Sequence, residues 1–570
     1  MRPADWIVLG GSLALVVLYG IWRGRGSDTV NKYLLAGKTM RWHVMALSIM
    51  ATQASAVTFI STTGQSYADG MRFVQFYFGL PLAMVILSFT AVPIFHRAKV
   101  YTAYEYLEQR FDGRTRALVS AIFLIQRGLA LGITLYAPAV VLTVILGWPD
   151  RATTLFMGGV AVLYTTLGGV KAIAWADVQQ MLVMTAGLAA ALAAAVLLLP
   201  AHVSFADAVT LAGVAGRLNA VTLNMDWNDR YNLWSGLIGG MFLALAYFGC
   251  DQSQVQRYLT GKSIAQSRLS LLFNGIAKVP MQFFILFIGA MVFVFYIYEK
   301  PPLLFERTEL ERIQRPSMRA EYRPVEARYD AAFEDRKTAA NRFLQARRSG
   351  DGTLRQQALA EYGRAQSELN GARRESVRLV EQADGKKGLN DTNYIFLTFV
   401  TRHLPAGLVG LVLAVIFGAT MSAISAEMSS LATVSVIDIY KRHFRRDAPD
   451  RHYLNASRAA TLFWGCYAVL SAEYGKKLGS LVEAVNILGS LFYGGMLGVF
   501  VLAFFFPRVR ARGAFYGVLA GEAVIFALYF FTRIAFLWYN VIGCGVVIGM
   551  GVLISRLEPA PVLAEPAAGL

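Results

Sequence analysis

The chain has 570 residues, 56% hydrophobic and 16% charged, with a formal net charge of +17. So apolar a composition excludes a disordered chain and argues against a soluble globule. The surplus of cations invites a nucleic-acid reading, but their placement decides what the sign means.

Read in chain order at about 20 apolar residues per bilayer crossing, the sequence offers thirteen stretches. They run near 6–22, 43–67, 73–95, 117–146, 152–170, 176–200, 236–250, 270–298, 404–439, 457–473, 480–506, 514–534 and 537–555. Behind the first come Arg23, Arg25, Lys32, Lys38 and Arg41 and no small-residue cleavage site, so it reads as a retained helix with its N-terminus outside. With that start, the loops assigned to the cytoplasm carry 24 Lys/Arg and the opposite loops 9, once the dense segment 300–387 is set aside. The expected protein is multi-pass in the plasma (inner) membrane, N-terminus outside and C-terminus cytoplasmic. Its basic charge then reports topology, and no nucleic-acid partner is expected.

Four regions follow: spans one to eight in 1–298, a charged loop in 299–403, spans nine to thirteen in 404–556, and a cytoplasmic tail in 557–570. Residues 300–387 hold 19 Lys/Arg and 14 Asp/Glu. Two helices, Pro324 to Arg348 and Thr353 to Asp384, are expected around the turn Ser349-Gly350-Asp351-Gly352. Apolar residues at Val325, Tyr329, Phe333 and Phe343/Leu344, then Leu354, Ala358, Tyr362, Ala365, Leu369 and Leu379/Val380, give each helix one stripe. An external antiparallel hairpin at 324–384 is expected, either a solvated insertion or a docking or lid element for a protein partner.

Polar groups inside spans are costly and mark function. The second span carries Ala51-Thr52-Gln53-Ala54-Ser55 and then Thr58, Ser61, Thr62 and Thr63, which suits a broken helix lining a cavity or close packing by small residues. The ninth repeats the pattern, with hydroxyls at Ser422, Ser425, Ser429 and Ser430 and a carboxylate at Glu427. Hard oxygens of this kind suit Na⁺; serine bonding back to its own helix is the alternative. Cys250, Cys466 and Cys544 show no paired spacing, and the six His are scattered, so neither a disulfide framework nor an enzyme's catalytic cluster is expected.

At these residues the chain resembles the sodium:solute symporter family. Tyr33-Leu34-Leu35-Ala36-Gly37-Lys38 matches the loop after its first helix, and Tyr104-Glu105-Tyr106-Leu107-Glu108-Gln109-Arg110-Phe111 its EYLE-RF loop. Gly168-Gly169 through Trp175-Ala176-Asp177-Val178-Gln179, and Asp251-Gln252-Ser253-Gln254-Val255-Gln256-Arg257-Tyr258, match two further signatures. Leu404-Pro405-Ala406-Gly407-Leu408-Val409-Gly410-Leu411 leads into the ninth span, and Asp438-Ile439-Tyr440 closes it. The resemblance implies an all-α polytopic protein of leucine-transporter type: a 5+5 inverted repeat with one extra N-terminal and two extra C-terminal helices. It implies cation-coupled symport of a small polar or organic-anion solute by alternating access, with Na⁺ as coupling ion and no cofactor; solute, Na⁺ and lipid bilayer are the expected partners, with a protein partner at the external hairpin as an open alternative.

The family's common Na⁺ site falls on carbonyls of Ala51, Ala54 and Ala419 and on the Ser422 hydroxyl, while Ala423 stands where relatives carry a second hydroxyl. Asp177 matches an acidic residue that in relatives helps cation transit or a second Na⁺ site, and Ser425 matches a hydroxyl of that second site. Glu427 is read as a protonatable or coupling group that offsets the lost oxygen. The family's solute pocket points to Gln53, Ser55, Thr58, Gln75 and Tyr77. Sialic acid symporters hold a carboxylate with an Arg at the position of Leu129, so Arg127 is read as ion-paired or interfacial, with an anion contact as the alternative; Lys278 is read as scaffold. A transporter-like sensor and a proton-coupled symporter with a partner-docking hairpin remain the alternatives.

Overall fold

The computed structural model describes residues 1–146, 149–315, 318–384, 389–472 and 481–558. Among them no strand forms, and one isolated bridge pairs Met40 with Gly261. Helix is what a bilayer demands, since each residue's N–H and C=O are then satisfied within the segment.

Helix α1 spans Pro3–Gly24, α2 Trp42–Gln53, α3 Ala56–Asp69 and α4 Met71–Ala98. A short α5, Ala103–Arg110, leads to α6, Gly113–Leu146, and α7, Asp150–Leu197. Then come α8 Phe205–Val214, α9 Ser235–Gly249, α10 Gln252–Leu259 and α11 Ile264–Tyr298. The charged segment forms α12 Arg319–Ser349 and α13 Gly352–Asp384. The chain closes with α14 Thr392–His403, α15 Leu408–Phe444, α16 Asp450–Ala472, α17 Leu481–Phe505, α18 Ala511–Phe531 and α19 Leu537–Leu557.

Among the described residues nine helices are long and apolar enough to cross a membrane, and ten if α2 and α3, bent by 57°, count as one span. Twelve of the thirteen expected stretches are helical through their middles; 43–67 is broken at residues 54–55, and two others, 152–170 and 176–200, share α7. A helix of 48 residues is about 72 Å long, more than twice a bilayer core. It is divided at Gly169, whose φ of 60° and ψ of −168° leave the helical region. A side chain there would also stand 2.7 Å from the Tyr33 carbonyl oxygen, so glycine is required by conformation and by space. Of the rest, α9 is short for a crossing and α16 is long enough but too polar. The body is built around α7 and α15, which pack on each other and on α1, while α17, α18 and α19 form a separate three-helix contact.

Helices α12 and α13 pack antiparallel through a left-handed Gly350. Their shared interior is the apolar stripe, from Val325, Tyr329 and Phe333 to Leu369, Leu379 and Val380; Leu354, beside the turn, is exposed. Helix α12 begins at Arg319 and takes Pro324 inside it, five residues before the expected start. Fully buried Arg336 donates to the Tyr296 carbonyl at 2.5 Å and to Gln366 at 3.0 Å, tying the hairpin to α11. Arg348 pairs with Asp207 at 2.5 Å, and Arg347 donates to Thr210 at 2.6 Å, tying it to α8.

Burial opposes the Asp207 charge, but the Ser204 hydroxyl and Arg348 outweigh it and hold this carboxyl below the ordinary carboxylate range. A lowered folded-state value adds stability above the unfolded value that is lost as pH falls through the folded one. Acid is therefore expected to loosen the hairpin tip from α8. Amide exchange across residues 345–352 should quicken below about pH 4, and Asp207→Asn should remove that pH dependence.

Candidate functional site

The polar run in α2 does not stay helical. Ala54 (ψ 60°) and Ser55 (ψ 167°) leave the helix, and α3 restarts at Ala56. Local bonds stabilise the break: the Ala54 N–H donates to Ala51 O at 3.1 Å, the Thr58 N–H to Ser55 O at 2.9 Å, and the Thr58 hydroxyl to Gln53 O at 3.3 Å. Such a break is tolerated at membrane depth where protein or a cavity surrounds it. A second break lies between α9 and α10, at Cys250 and Asp251.

Helix α15 packs against both arms of the first break. Ala51, Ala54, Ala419, Ser422 and Ser425 are all fully buried. The Ser422 hydroxyl lies within interaction range of the Asp177 carboxylate and makes no other hydrogen bond among the described residues. Asp177 on α7 accepts from Ser48 through one oxygen and leaves the other, Oδ1, unpartnered. Ser425 is engaged elsewhere: it donates to Ser422 O at 3.0 Å and accepts from the Tyr164 hydroxyl at 2.6 Å. The structure thus brings the Ser422 hydroxyl and the Asp177 carboxylate together, buried and with Ser48 as their one other side-chain partner among the described residues, while Ala423 adds no oxygen.

Beside the break opens a cavity of about 140 Å³. Gln53, Ser55, Thr58 and Tyr77 line it, joined by Ala423 and Glu427. Gln53 is aimed by a 3.0 Å bond to Asn274 on α11. Gln75 lies elsewhere: it is fully buried, donates to Tyr231 O at 2.8 Å and accepts from the Thr222 N–H at 2.9 Å, and so fastens the loop before α9 to α4. Lys278 is fully buried near the cavity, its ammonium 5.7 Å from the centre of the Tyr77 ring and without a hydrogen-bond partner.

Glu427 is not a free carboxylate. Its Oε1 accepts from Arg127 at 3.1 Å and from Thr134 at 3.4 Å, and its Oε2 has no partner. Arg127, on α6, also pairs with Asp251 and donates to the Tyr493 hydroxyl at 2.6 Å. Tyr493 in turn donates to Asp251 at 2.8 Å. Arg127 is 4% exposed and ion-paired as one sequence reading had it, but it also lines the cavity. Tyr493 and Thr134 escaped the sequence reading, and Asp251 entered it only as the first residue of a family signature, with no role at the site.

The model of the Sodium:solute symporter family matches residues 33–300 and 380–521, passing over most of the hairpin. Sodium-coupled monocarboxylate transporter 1 of Homo sapiens is 26% identical over 523 residues, covering 91% of this chain and 72% of that protein. The Sodium-dependent multivitamin transporter of Oryctolagus cuniculus is 27% identical over 528 residues, covering 92% and 69%. The Sodium/iodide cotransporter of Homo sapiens is 27% identical over 525 residues, covering 90% and 68%. These relatives are transporters. Among solved structures, the substrate-bound outward-open state of a Na⁺-coupled sialic acid symporter superposes with a TM-score of 0.76 at 22% identity, over 98% of each chain, which establishes the fold.

Proposed function

The chain belongs to the sodium:solute symporter family, and from that premise we propose that it carries a small organic anion with Na⁺ through the cavity beside the broken helix. Na⁺-coupled symport of a solute is the function of this chain; the sensor and proton-coupled alternatives are not favoured. The observation that supports the site is the juxtaposition of the Ser422 hydroxyl and the Asp177 carboxylate, both fully buried and with little else to satisfy them. In our reading Na⁺ takes the carbonyls of Ala51, Ala54 and Ala419 and the Ser422 hydroxyl, with Asp177 supplying the oxygen that Ala423 lacks. Ser425, already bonded twice, orients Ser422 more than it ligates.

The solute contacts Gln53, Ser55, Thr58 and Tyr77. The cavity holds on the order of ten water positions, so the solute is small. Its anionic class is supported by Arg127 in the wall and by monocarboxylate and iodide carriers among the relatives. The bias of 24 to 9 cations supports a plasma-membrane protein with its N-terminus and hairpin outside and its C-terminus inside. Nothing supports a protein partner at the hairpin: most of its apolar stripe is buried, in part within the hairpin and in part, at Phe343, Leu344, Ala358 and Tyr362, against the membrane body.

The test is uptake by the purified protein in liposomes. An inward Na⁺ gradient should accumulate labelled lactate or nicotinate, replacing Na⁺ by K⁺ should stop it, and collapsing a pH gradient should not. Uptake that persists without Na⁺ would overturn the reading.

A further inference from the structure

The two carboxylates that meet Arg127 are not equivalent. Asp251 is fully buried, lies behind the cavity wall, and has both oxygens engaged, one by Arg127 and Tyr493 and the other by the Ser253 N–H at 2.9 Å. Glu427 stands in the wall, holds Arg127 by one 3.1 Å bond and keeps Oε2 unpartnered. Asp251 is a fixed counterion; Glu427 is an exchangeable one.

Charge favours the exchange. Within the cluster one guanidinium is shared by two carboxylates, so neither has a cation of its own, and the more weakly bonded of the two is the easier to displace. A guanidinium has five N–H donors, and here Nε has no partner. The cation is therefore already desolvated, held in orientation from behind, and contested by a weakly held carboxylate in front.

We infer that Arg127 is the anchor for the anionic group of the transported solute, with Asp251 and Tyr493 fixing its guanidinium and Glu427 giving up its contact as the solute arrives. The inference rests on the reading of the solute as an organic anion. The incoming carboxylate accepts from Nη1 in place of Glu427, a charge-assisted bond of the strong kind. The released Glu427 carboxylate then needs a positive partner, and the Na⁺ that enters with the anion supplies one. Ala423, one turn earlier on the same helix face, leaves the room for it. Anion and Na⁺ together add no net charge, so each favours the other's binding.

The experiment is thermal stabilisation of the full-length protein in detergent by lactate and nicotinate, and by their neutral amides, with Na⁺ or K⁺. The wild type should respond to the acids in Na⁺ and not to the amides. Glu427→Gln should bind the acids at least tenfold more tightly and with less dependence on Na⁺. Arg127→Gln alone strands Asp251, so it is paired with Asp251→Asn; the double variant should lose the preference for acid over amide while Na⁺ alone still stabilises it. Arg127→Lys should restore part of the preference. If the double variant keeps the full preference, Arg127 is not the anchor, although the solute is still an anion. If the wild type responds equally to acids and amides, or to neither, the organic-anion reading falls and this inference with it.

Discussion

Replacing Arg116 by alanine is expected to cost about 3–5 kcal/mol of stability, read as a large drop in the thermal midpoint of the detergent-solubilised protein. Arg116 on α6 donates to Asp438 through Nε at 2.7 Å, to Glu108 through Nη1 at 2.7 Å and to the Ile437 carbonyl at 3.2 Å. Asp438 is fully buried, and its other contact is the Thr102 hydroxyl at 2.8 Å. Removing the guanidinium leaves a carboxylate in the interior with one neutral donor. Arg116→Lys should recover part of the loss, because an ammonium restores the charge but not the fork. Lys32→Ala, which breaks the exposed pair with Asp28, should leave the midpoint where it is. A small effect at Arg116 would mean that water reaches Asp438.

Ser422→Ala is expected to weaken Na⁺ binding about ten- to a hundredfold, the loss of one bond to a charged group. The Na⁺ concentration for half-maximal uptake would show it. The effect should exceed that of the same change in relatives bearing two adjacent hydroxyls, because Ala423 already withholds one. Ala423→Ser should shift the Na⁺ dependence the other way. An unchanged Na⁺ dependence in Ser422→Ala would place the ion elsewhere and remove the role given to Asp177.

What could be read from the sequence was what lies close along the chain. The hairpin stripe repeats every three or four residues, so Val325, Tyr329 and Phe333 were visible as one face before any partner was known. The broken α2 was visible because Thr, Gln and Ser crowd a stretch that lipid would not accept. Long-range pairing left no such trace. Arg127 meets Asp251, Glu427 and Tyr493 across 124, 300 and 366 residues, so Glu427 looked like a lone acid. Gln75 shares a short segment with Tyr77, which lines the cavity, but its own side chain turns to Tyr231 and Thr222, a direction that periodicity does not give. Residues 171–175 read as a loop between two spans, with Gly168 and Gly169 at the end of the first, yet the helical bonds continue past a single residue of positive φ, and two stretches became one bent helix.

The hairpin grows between α11 and α14, within the later half of the chain, yet it holds α8, the segment that joins the two halves. It therefore behaves as a strap across a joint. Contacts kept in both end states of a transport cycle leave their relative populations unchanged. Contacts that must part in passing raise only the barrier between them. Cutting the Arg347 and Arg348 contacts to α8 is therefore expected to change the rate of uptake and to leave unchanged the solute and Na⁺ concentrations that half-saturate it.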